Sequence, residues 1–189
     1  MQQCIDLVSE KYKVDSFFYY SKSKHAKPGY GTNEKNVTGN LYAELDAIAD
    51  WRKVLSNFYI QTTSIVCPDT GLHFASVEHF HQAAKFKHHN ALYKTFSIEG
   101  GNYPTGDAAK TAGGKSGKGR PVHLKNVSAV FGAHTANAAN IAMAQKFTRD
   151  ELSKRVLLNT GDALLYHSMG RGNPVTLQVE LMKIRELIN

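Results

Sequence analysis

The sequence has few of the features that mark secreted, metal-binding and membrane proteins. It contains 2 cysteines in 189 residues, and Cys4 and Cys67 are too few and too far apart to form a disulfide framework. No stretch approaches the roughly 18 consecutive apolar residues of a membrane helix. The first ten residues include Asp6 and Glu10, which exclude the continuous apolar region of a signal peptide. These absences favour a reduced, cytoplasmic setting without a membrane partner.

The balance of charges favours an anionic partner. The chain carries 23 Lys and Arg against 16 Asp and Glu, which gives a net charge of +7. A basic surface attracts phosphates and nucleic acid, although it can also serve solubility alone. We therefore expect a phosphate-bearing ligand, with a solvated basic surface as the alternative.

Length and hydrophobic periodicity predict one domain, residues 1–189, of mixed α and β structure, because no internal repeat or linker divides the chain. Strands are predicted where aromatic and β-branched residues cluster, and helices where apolar residues recur every three to four positions. The predicted strands are 14–20, 59–67 and 72–74, the last two joined by a turn at 68–71. The predicted helices are 1–13, 41–54 with Asn40 as N-cap, a helix from Ser76, 134–146, and 149–158 with Gly161 at its C-terminal stop; 174–188 forms a strand or, from Gln178, a helix.

The helix that begins at Ser76 carries the most informative pattern. Serine is a good N-cap, and Glu78 in the first turn suits the positive end of the helix dipole. Helical spacing places Glu78, Gln82, Lys85 and His89 along one stripe, while the opposite side of the helix is apolar. An acid at a helix start is more often a surface residue than a catalytic one, so the spacing alone makes this stripe only a candidate site.

Two patterns that resemble nucleotide and metal motifs fail on spacing. Residues 113–116 read GGKS, but a P-loop needs glycine at position 109, where the chain has alanine. The surrounding segment, 108–120, is predicted to begin as a helix and to continue as a loop rich in glycine and lysine, either solvated or near a phosphate. Glu78-His79 would begin a zinc motif, but position 83 is alanine instead of the second histidine. Neither a nucleoside triphosphate nor a metal is therefore expected.

Three short segments follow one another in a specific order: LSNFY at 55–59, FASVEHFHQAAKF at 74–86 and LLNTGDALL at 157–165. In this order and spacing they resemble the NADAR family, also called the YbiA-like domain. The resemblance runs from Phe18 to Arg185, and residues 19–34 are similar to the longer branch of that family. The tryptophan that is usual before the alanine-rich helix is absent, with residues 127–131 in its place.

The resemblance implies a compact, mainly helical α+β domain that cleaves the bond between a ribose phosphate and a nitrogenous base, without a metal or redox cofactor. Two substrate classes are attached to the family. One is ADP-ribose on guanine bases of nucleic acid, and the other is the ribosylamino-pyrimidine phosphate intermediates of riboflavin synthesis. A non-catalytic module that binds ADP-ribose or nucleic acid is the third interpretation. The net charge of +7 favours the nucleic-acid substrate.

The resemblance and the stripe together nominate the site residues. Glu78 is expected to stabilise the positive charge that develops at C1′, and either Lys22 or Lys85 is expected to attack that carbon. Asn57, Gln82 and Asp162 are expected to hold ribose hydroxyls, and Arg52 and the loop at 22–24 are expected to contact phosphates. Phe58 or Tyr20 is expected to stack on the base. The predicted catalytic residues are Glu78, Lys22, Lys85 and Asp162, and the predicted substrate-binding residues are Tyr20, Ser21, Arg52, Ser56, Asn57, Phe58, His79, Gln82 and Gly161.

Overall fold

The computed structural model describes residues 15–34, 39–168, 172 and 174–189. The predicted helix 1–13 lies outside these residues. Contacts divide the chain into a first unit, Met1–Ser56 with Glu151–Asn189, and a second unit, Asn57–Asp150. That the chain forms a single domain stays a prediction.

The predicted fold class, mainly helical α+β with a few short strands, is confirmed. Among the described residues, no helix has both the length and the apolar character needed to span a bilayer. The strands are β1 (Ser16–Tyr19), β2 (Ile65–Val66), β3 (His73–Phe74), β4 (Leu164–His167) and β5 (Thr176–Leu177). The α-helices are α1 (Ala43–Asp46), α2 (Trp51–Leu55), α3 (Val77–Ala84), α4 (Asn90–Thr95), α5 (Gly106–Gly113), α6 (Ala133–Arg149), α7 (Glu151–Leu158) and α8 (Val179–Ile188), with 3₁₀ helices at Gly39–Tyr42 and Val122–Leu124.

The first unit is built around a three-stranded sheet of order β1-β4-β5. β1 and β4 are parallel, with Phe17 opposite Leu165, and β5 is antiparallel to β4, with Leu177 opposite Tyr166. The fully buried ring of Phe17 meets Trp51 edge to face, with the ring centroids 5.1 Å apart. The apolar, aromatic strand predicted at 14–20 is thus confirmed as the core strand of this unit.

The second unit is mostly helical and places α3 at its centre, packed against both α5 and α6. The predicted hairpin of β2 and β3 is confirmed, with Ile65 opposite Phe74. Its turn uses Gly71 in the left-handed region, at φ 69°, where a glycine has no Cβ to clash. The Phe74 ring stacks on Phe80 of α3 at 4.9 Å, so the hairpin holds one side of that helix.

Two predicted elements and one predicted cap differ from the structure. The helix predicted over 41–54 breaks at Asp50, which adopts a left-handed conformation at φ 54°, and Asn40 lies inside the 3₁₀ helix instead of capping an α-helix. The strand predicted over 59–67 shrinks to β2. Its earlier amides are not available to a sheet, because Asp150 Oδ1 accepts hydrogen bonds from the backbone N–H groups of Thr62 and Thr63 at 2.9 and 3.2 Å.

Candidate functional site

Helix α3 begins as the sequence predicts, with Ser76 as its N-cap. The Ser76 backbone is extended, and its side-chain oxygen accepts a hydrogen bond from His79 N. The backbone N–H of Glu78 donates to the carbonyl of Asn57 at 2.9 Å. This bond satisfies an amide that the first turn of a helix otherwise leaves without a partner, and it fixes Asn57 against the helix start.

Glu78, Gln82 and Lys85 form a buried hydrogen-bonded chain, the Glu78–Gln82–Lys85 network. The amide nitrogen of Gln82 donates to Glu78 Oε1 at 2.6 Å, and Lys85 Nζ donates to Gln82 Oε1 at 2.5 Å. The three residues are only 7, 3 and 7% exposed. The predicted stripe is therefore confirmed for these three residues. It is wrong for His89, because α3 ends at Ala84 and His89 instead caps α4.

The environment of Lys85 stabilises its neutral amine relative to that of an exposed lysine. Burial lowers the pKa of Lys85; the carboxylate of Glu78 acts in the opposite direction, while the nearby cations Lys110 and Arg120 lower the pKa further. The amine also lies 5.2 Å from the ring centre of Phe131. A lysine with a depressed pKa is the kind of amine that can attack a sugar carbon.

Helix α5 packs closely against the network and against Phe58 through two glycines, Gly106 and Gly113. A Cβ built on Gly113 would lie 1.9 Å from Gln82 Oε1, so only glycine fits at this contact. A Cβ on Gly106 would likewise lie 2.8 Å from the Cα of Phe58. Lys110, on the same helix, has its ammonium 5.4 Å from the Phe58 ring centre. The half-buried Phe58 therefore has a cation over its ring, and whether it also stacks on a base stays a prediction.

His79 has a structural role, and whether it also contacts substrate stays a prediction. It is 2% exposed, with Nδ1 2.7 Å from Ser76 Oγ and Nε2 2.9 Å from the carbonyl of Tyr103. The carbonyl needs a donor, so Nε2 carries the hydrogen and Nδ1 accepts from the serine hydroxyl. Burial lowers the pKa of His79, which keeps this imidazole neutral. Among the described residues, no group of three or more His, Cys, Asp or Glu is arranged to hold a metal ion.

In the first unit, the loop at 21–34 folds around a buried ion pair between Glu34 and Arg52. Arg52 donates to Glu34 through Nε at 2.9 Å and through Nη2 at 2.6 Å, and it also donates to the carbonyls of Ala26 and Lys27. Glu34 in turn accepts from the backbone N–H of Gly29 at 2.9 Å. The structure thus uses Arg52, which the sequence analysis assigned to phosphates, to hold the loop in place.

The same loop forms the wall of a cavity of about 710 Å³ in the first unit. Tyr20, Lys24, His25 and Arg52 line it, and no carboxylate is among the lining residues. Lys24 brings a positive charge to this cavity, whereas the charge of Arg52 is balanced by Glu34. Ser21 is half-buried and Lys22 is exposed in the turn that leads into the loop.

The predicted residues at 56, 161 and 162 also lie in the first unit. Ser56 is buried at 1% exposure, Gly161 has φ 51° in the turn after α7, and Asp162 is exposed. Arg185 holds this turn, donating to the Thr160 hydroxyl at 2.8 Å and to the carbonyl of Ala163 at 2.9 Å.

The predicted site residues are divided between the two units. Tyr20, Ser21, Lys22, Arg52, Ser56, Gly161 and Asp162 belong to the first unit, and Asn57, Phe58, Glu78, His79, Gln82 and Lys85 belong to the second.

Comparisons with protein-family models, with curated proteins and with solved structures found no match to this chain.

A second cavity, of about 280 Å³, lies in the second unit and includes Cys67 in its lining. Burial alone would raise the pKa of the Cys67 thiol, but hydrogen bonds from Thr70 and Tyr93 outweigh it and leave the pKa lowered. The Tyr93 hydroxyl donates to Cys67 Sγ at 3.2 Å.

Neither of the two cavities has any member of the Glu78–Gln82–Lys85 network in its lining. The network is the candidate site, because its three groups are buried, are hydrogen-bonded to one another and include a carboxylate and an amine.

Sequence reasoning missed the residues that enclose the network. In the sequence, Gly113 stands out only as part of a failed P-loop pattern, yet its lack of a side chain is what lets α5 approach Gln82. Phe131 lies in the segment 127–131, where the family that the sequence resembles usually has a tryptophan, and this aromatic residue is the one signal in the sequence that could have found it. The structure brings its ring to the Lys85 amine.

Proposed function

We propose that this protein hydrolyses the N-glycosidic bond between a ribose and a base, and that its substrate is ADP-ribose attached to guanine in nucleic acid. The observation that carries the proposal is the buried carboxylate–amide–amine chain of Glu78, Gln82 and Lys85. Breaking the C1′–N bond develops positive charge on the ribose and negative charge on the departing base. A buried carboxylate stabilises the first charge, and the Gln82 amide fixes that carboxylate in one orientation.

The depressed pKa of Lys85 favours a covalent route. The neutral amine attacks C1′, the C1′–N bond breaks, and the base leaves with the bonding electrons and takes up a proton. The ribose joined to Nζ then opens to a Schiff base. Addition of one water releases the free amine and the ADP-ribose, so one water is consumed in each turnover. Lys22 is the alternative nucleophile that the family resemblance implies, and direct attack by water is the route that needs neither lysine.

The choice of a nucleic-acid substrate rests on charge. A net charge of +7 favours a polyanion over a small ribosyl phosphate, which needs no such field. An intracellular, reducing location belongs to the same proposal, because Cys67 is a buried free thiol.

The test is Glu78→Gln, which keeps the size and the acceptor oxygen but removes the charge. We expect base release to fall at least about 10²-fold, the lower end of what one group that stabilises a developing charge contributes, with the melting temperature nearly unchanged. The measurement is chromatography of the free base after incubation with DNA carrying ADP-ribosylated guanine, and in parallel with a ribosylamino-pyrimidine phosphate. Glu99→Gln is the matched control, since Glu99 is an exposed acid of the same unit that pairs with His73; this variant should keep wild-type turnover.

Each contrary result has a distinct meaning. If the Glu78→Gln variant releases base at the wild-type rate, Glu78 is not a catalytic residue. Release of the pyrimidine alone would overturn the nucleic-acid substrate, and tight binding of both substrates with release of neither would identify a binding module.

A further inference from the structure

The positive charge of this protein is concentrated in one segment. Residues 108–149 contain seven Lys and Arg and no Asp or Glu. Without them, 16 Lys and Arg remain in the chain against 16 Asp and Glu, so the rest of the chain is neutral in sum. The whole net charge of +7 therefore belongs to this one acid-free segment of the second unit.

Part of this segment is an ordered loop held by a buried arginine. Arg120 donates to the carbonyl oxygens of Ala112 at 2.5 Å, of Gly114 at 2.7 Å and of Val127 at 2.7 Å. It is 4% exposed, and its guanidinium lies 4.6 Å from the ring centre of Phe86. One side chain thus ties both ends of the loop to the helical core, which distinguishes it from a solvated connection between elements.

The loop presents its lysines to solvent. Lys115, Lys118 and Lys125 are exposed, and none of the ion pairs among the described residues involves them. We call these three residues the basic surface. Since the segment contains no carboxylate, no acid close in sequence neutralises this surface.

The basic surface continues directly from the candidate site. Gly113, two residues before Lys115, is the glycine that touches Gln82. At the far end of the segment, Val130 N donates to the carbonyl of Lys85 at 2.8 Å, and Phe131 is 70% exposed beside the Lys85 amine. A polymer bound along the basic surface would have an exposed aromatic ring at the reactive end, the combination that binds single strands through phosphate contacts and base stacking.

We propose that the basic surface binds the phosphate backbone of a single-stranded nucleic-acid segment and delivers its modified base to the Glu78–Gln82–Lys85 network. This inference rests on the proposed function and deepens it, because it makes the strand around the base part of what the enzyme recognises. A single strand is the fitting form, since its base is already unstacked and accessible.

The test combines a binding and a catalytic measurement on the triple variant K115Q/K118Q/K125Q. Each phosphate contact to a single strand makes the slope of log K against log salt more negative by about 0.7. For a labelled, unmodified single-stranded oligonucleotide, the triple variant should therefore have a slope that is less negative than that of the wild type by about 2. The control K87Q/K94Q/K183Q removes the same charge from three exposed lysines outside the segment and should leave the slope unchanged.

The catalytic arm compares ADP-ribosylated guanine in an oligonucleotide with the same lesion on a free nucleoside. The triple variant should raise KM for the oligonucleotide about tenfold or more and leave turnover of the nucleoside at the wild-type rate. Equal salt slopes for the triple and control variants would overturn the basic surface. So would a preference for vesicles containing phosphatidylserine that the triple variant abolishes while oligonucleotide binding persists.

Failure of the proposed function is distinguishable from failure of this inference. The wild-type protein could release no base while the triple variant still binds the oligonucleotide with a weaker salt dependence. That result would support the basic surface as a binding site and contradict the hydrolase assignment. If base release depends on Glu78 but not on the three lysines for either substrate, the hydrolase assignment stands and the surface falls.

Discussion

Lys85 combines three properties that seldom occur together in a lysine: it is 7% exposed, it donates to an amide oxygen, and its pKa is lowered. At neutral pH such an amine is unprotonated more often than an exposed lysine with a pKa near 10.4. The Gln82 bond also limits its rotation. A lowered pKa and a fixed orientation are the two properties that an amine needs for covalent attack on C1′.

We therefore predict that cyanoborohydride added during turnover reduces a Schiff base and leaves the sugar attached to the peptide that contains Lys85. Turnover should rise with pH as the amine loses its proton and should level off at a lower pH than an exposed lysine would require, because the pKa is lowered. Mass spectrometry of the digested protein locates the adduct. Lys85→Arg keeps a donor for Gln82 but has no nucleophilic amine, so it should lose both the adduct and most of the turnover.

Lys22→Arg is the matched control for that experiment. Lys22 is exposed, and the family resemblance makes it the competing candidate. If trapping disappears in Lys22→Arg and persists in Lys85→Arg, Lys22 is the nucleophile and Lys85 serves only as the partner of Gln82.

At the scale of elements, the approach of α5 to α3 determines whether the network can form. We predict that Gly113→Ala forces Gln82 out of its position, since the new Cβ would lie 1.9 Å from its side-chain oxygen and 2.9 Å from its Cβ. Gln82 would then lose its bonds to Glu78 and Lys85. Leaving such buried polar groups without partners costs about 1–3 kcal/mol, measured as the change in the free energy of unfolding in urea, and turnover should fall with it.

Gly114→Ala is the comparison for that change. Its Cβ would lie 3.2 Å from the carbonyl oxygen of Thr111, a contact that a shift of a few tenths of an ångström relieves. We expect it to keep most of the stability and turnover. If both variants behave alike, the close contact at Gly113 is not what holds Gln82.

Patterns local in sequence predicted the elements well, and contacts between distant residues explain what they missed. Ser76 as N-cap and the pairing of Glu78 with Gln82 and Lys85 follow from helical spacing, which a sequence displays directly. The loss of most of the strand at 59–67 depends on Asp150, about ninety residues away, and no local pattern displays that partner. The fit of Gly113 against Gln82 depends on the packing of two helices, and so it too becomes visible only in three dimensions.

At the scale of the whole molecule, the acid-free segment has two kinds of cation. Lys115, Lys118 and Lys125 are exposed and contribute to the external field, whereas Arg120 and Lys146 are buried. A buried arginine keeps its charge because guanidinium is almost impossible to deprotonate, but a buried lysine does not. Burial lowers the pKa of Lys146 to about 7, against a partial restoring effect of Asp150. The net charge of the folded protein therefore changes near neutral pH at a residue that is 0% exposed.

The last prediction follows from that lysine. In the unfolded chain, Lys146 has a pKa of about 10.4, so between pH 7 and 10 the unfolded state binds a proton there that the folded state does not. Stability from this group is thus fully present above the unfolded pKa and is lost as pH falls toward 7, at up to about 1.4 kcal/mol per pH unit. We expect the free energy of unfolding of the wild type minus that of Lys146→Met to rise as pH goes from 7 to 10 and to be flat below about pH 6. Urea unfolding at each pH measures it, and the subtraction removes the other groups that titrate in this range. A difference in the free energy of unfolding that stays constant over the whole range would mean that Lys146 stays charged in the folded protein.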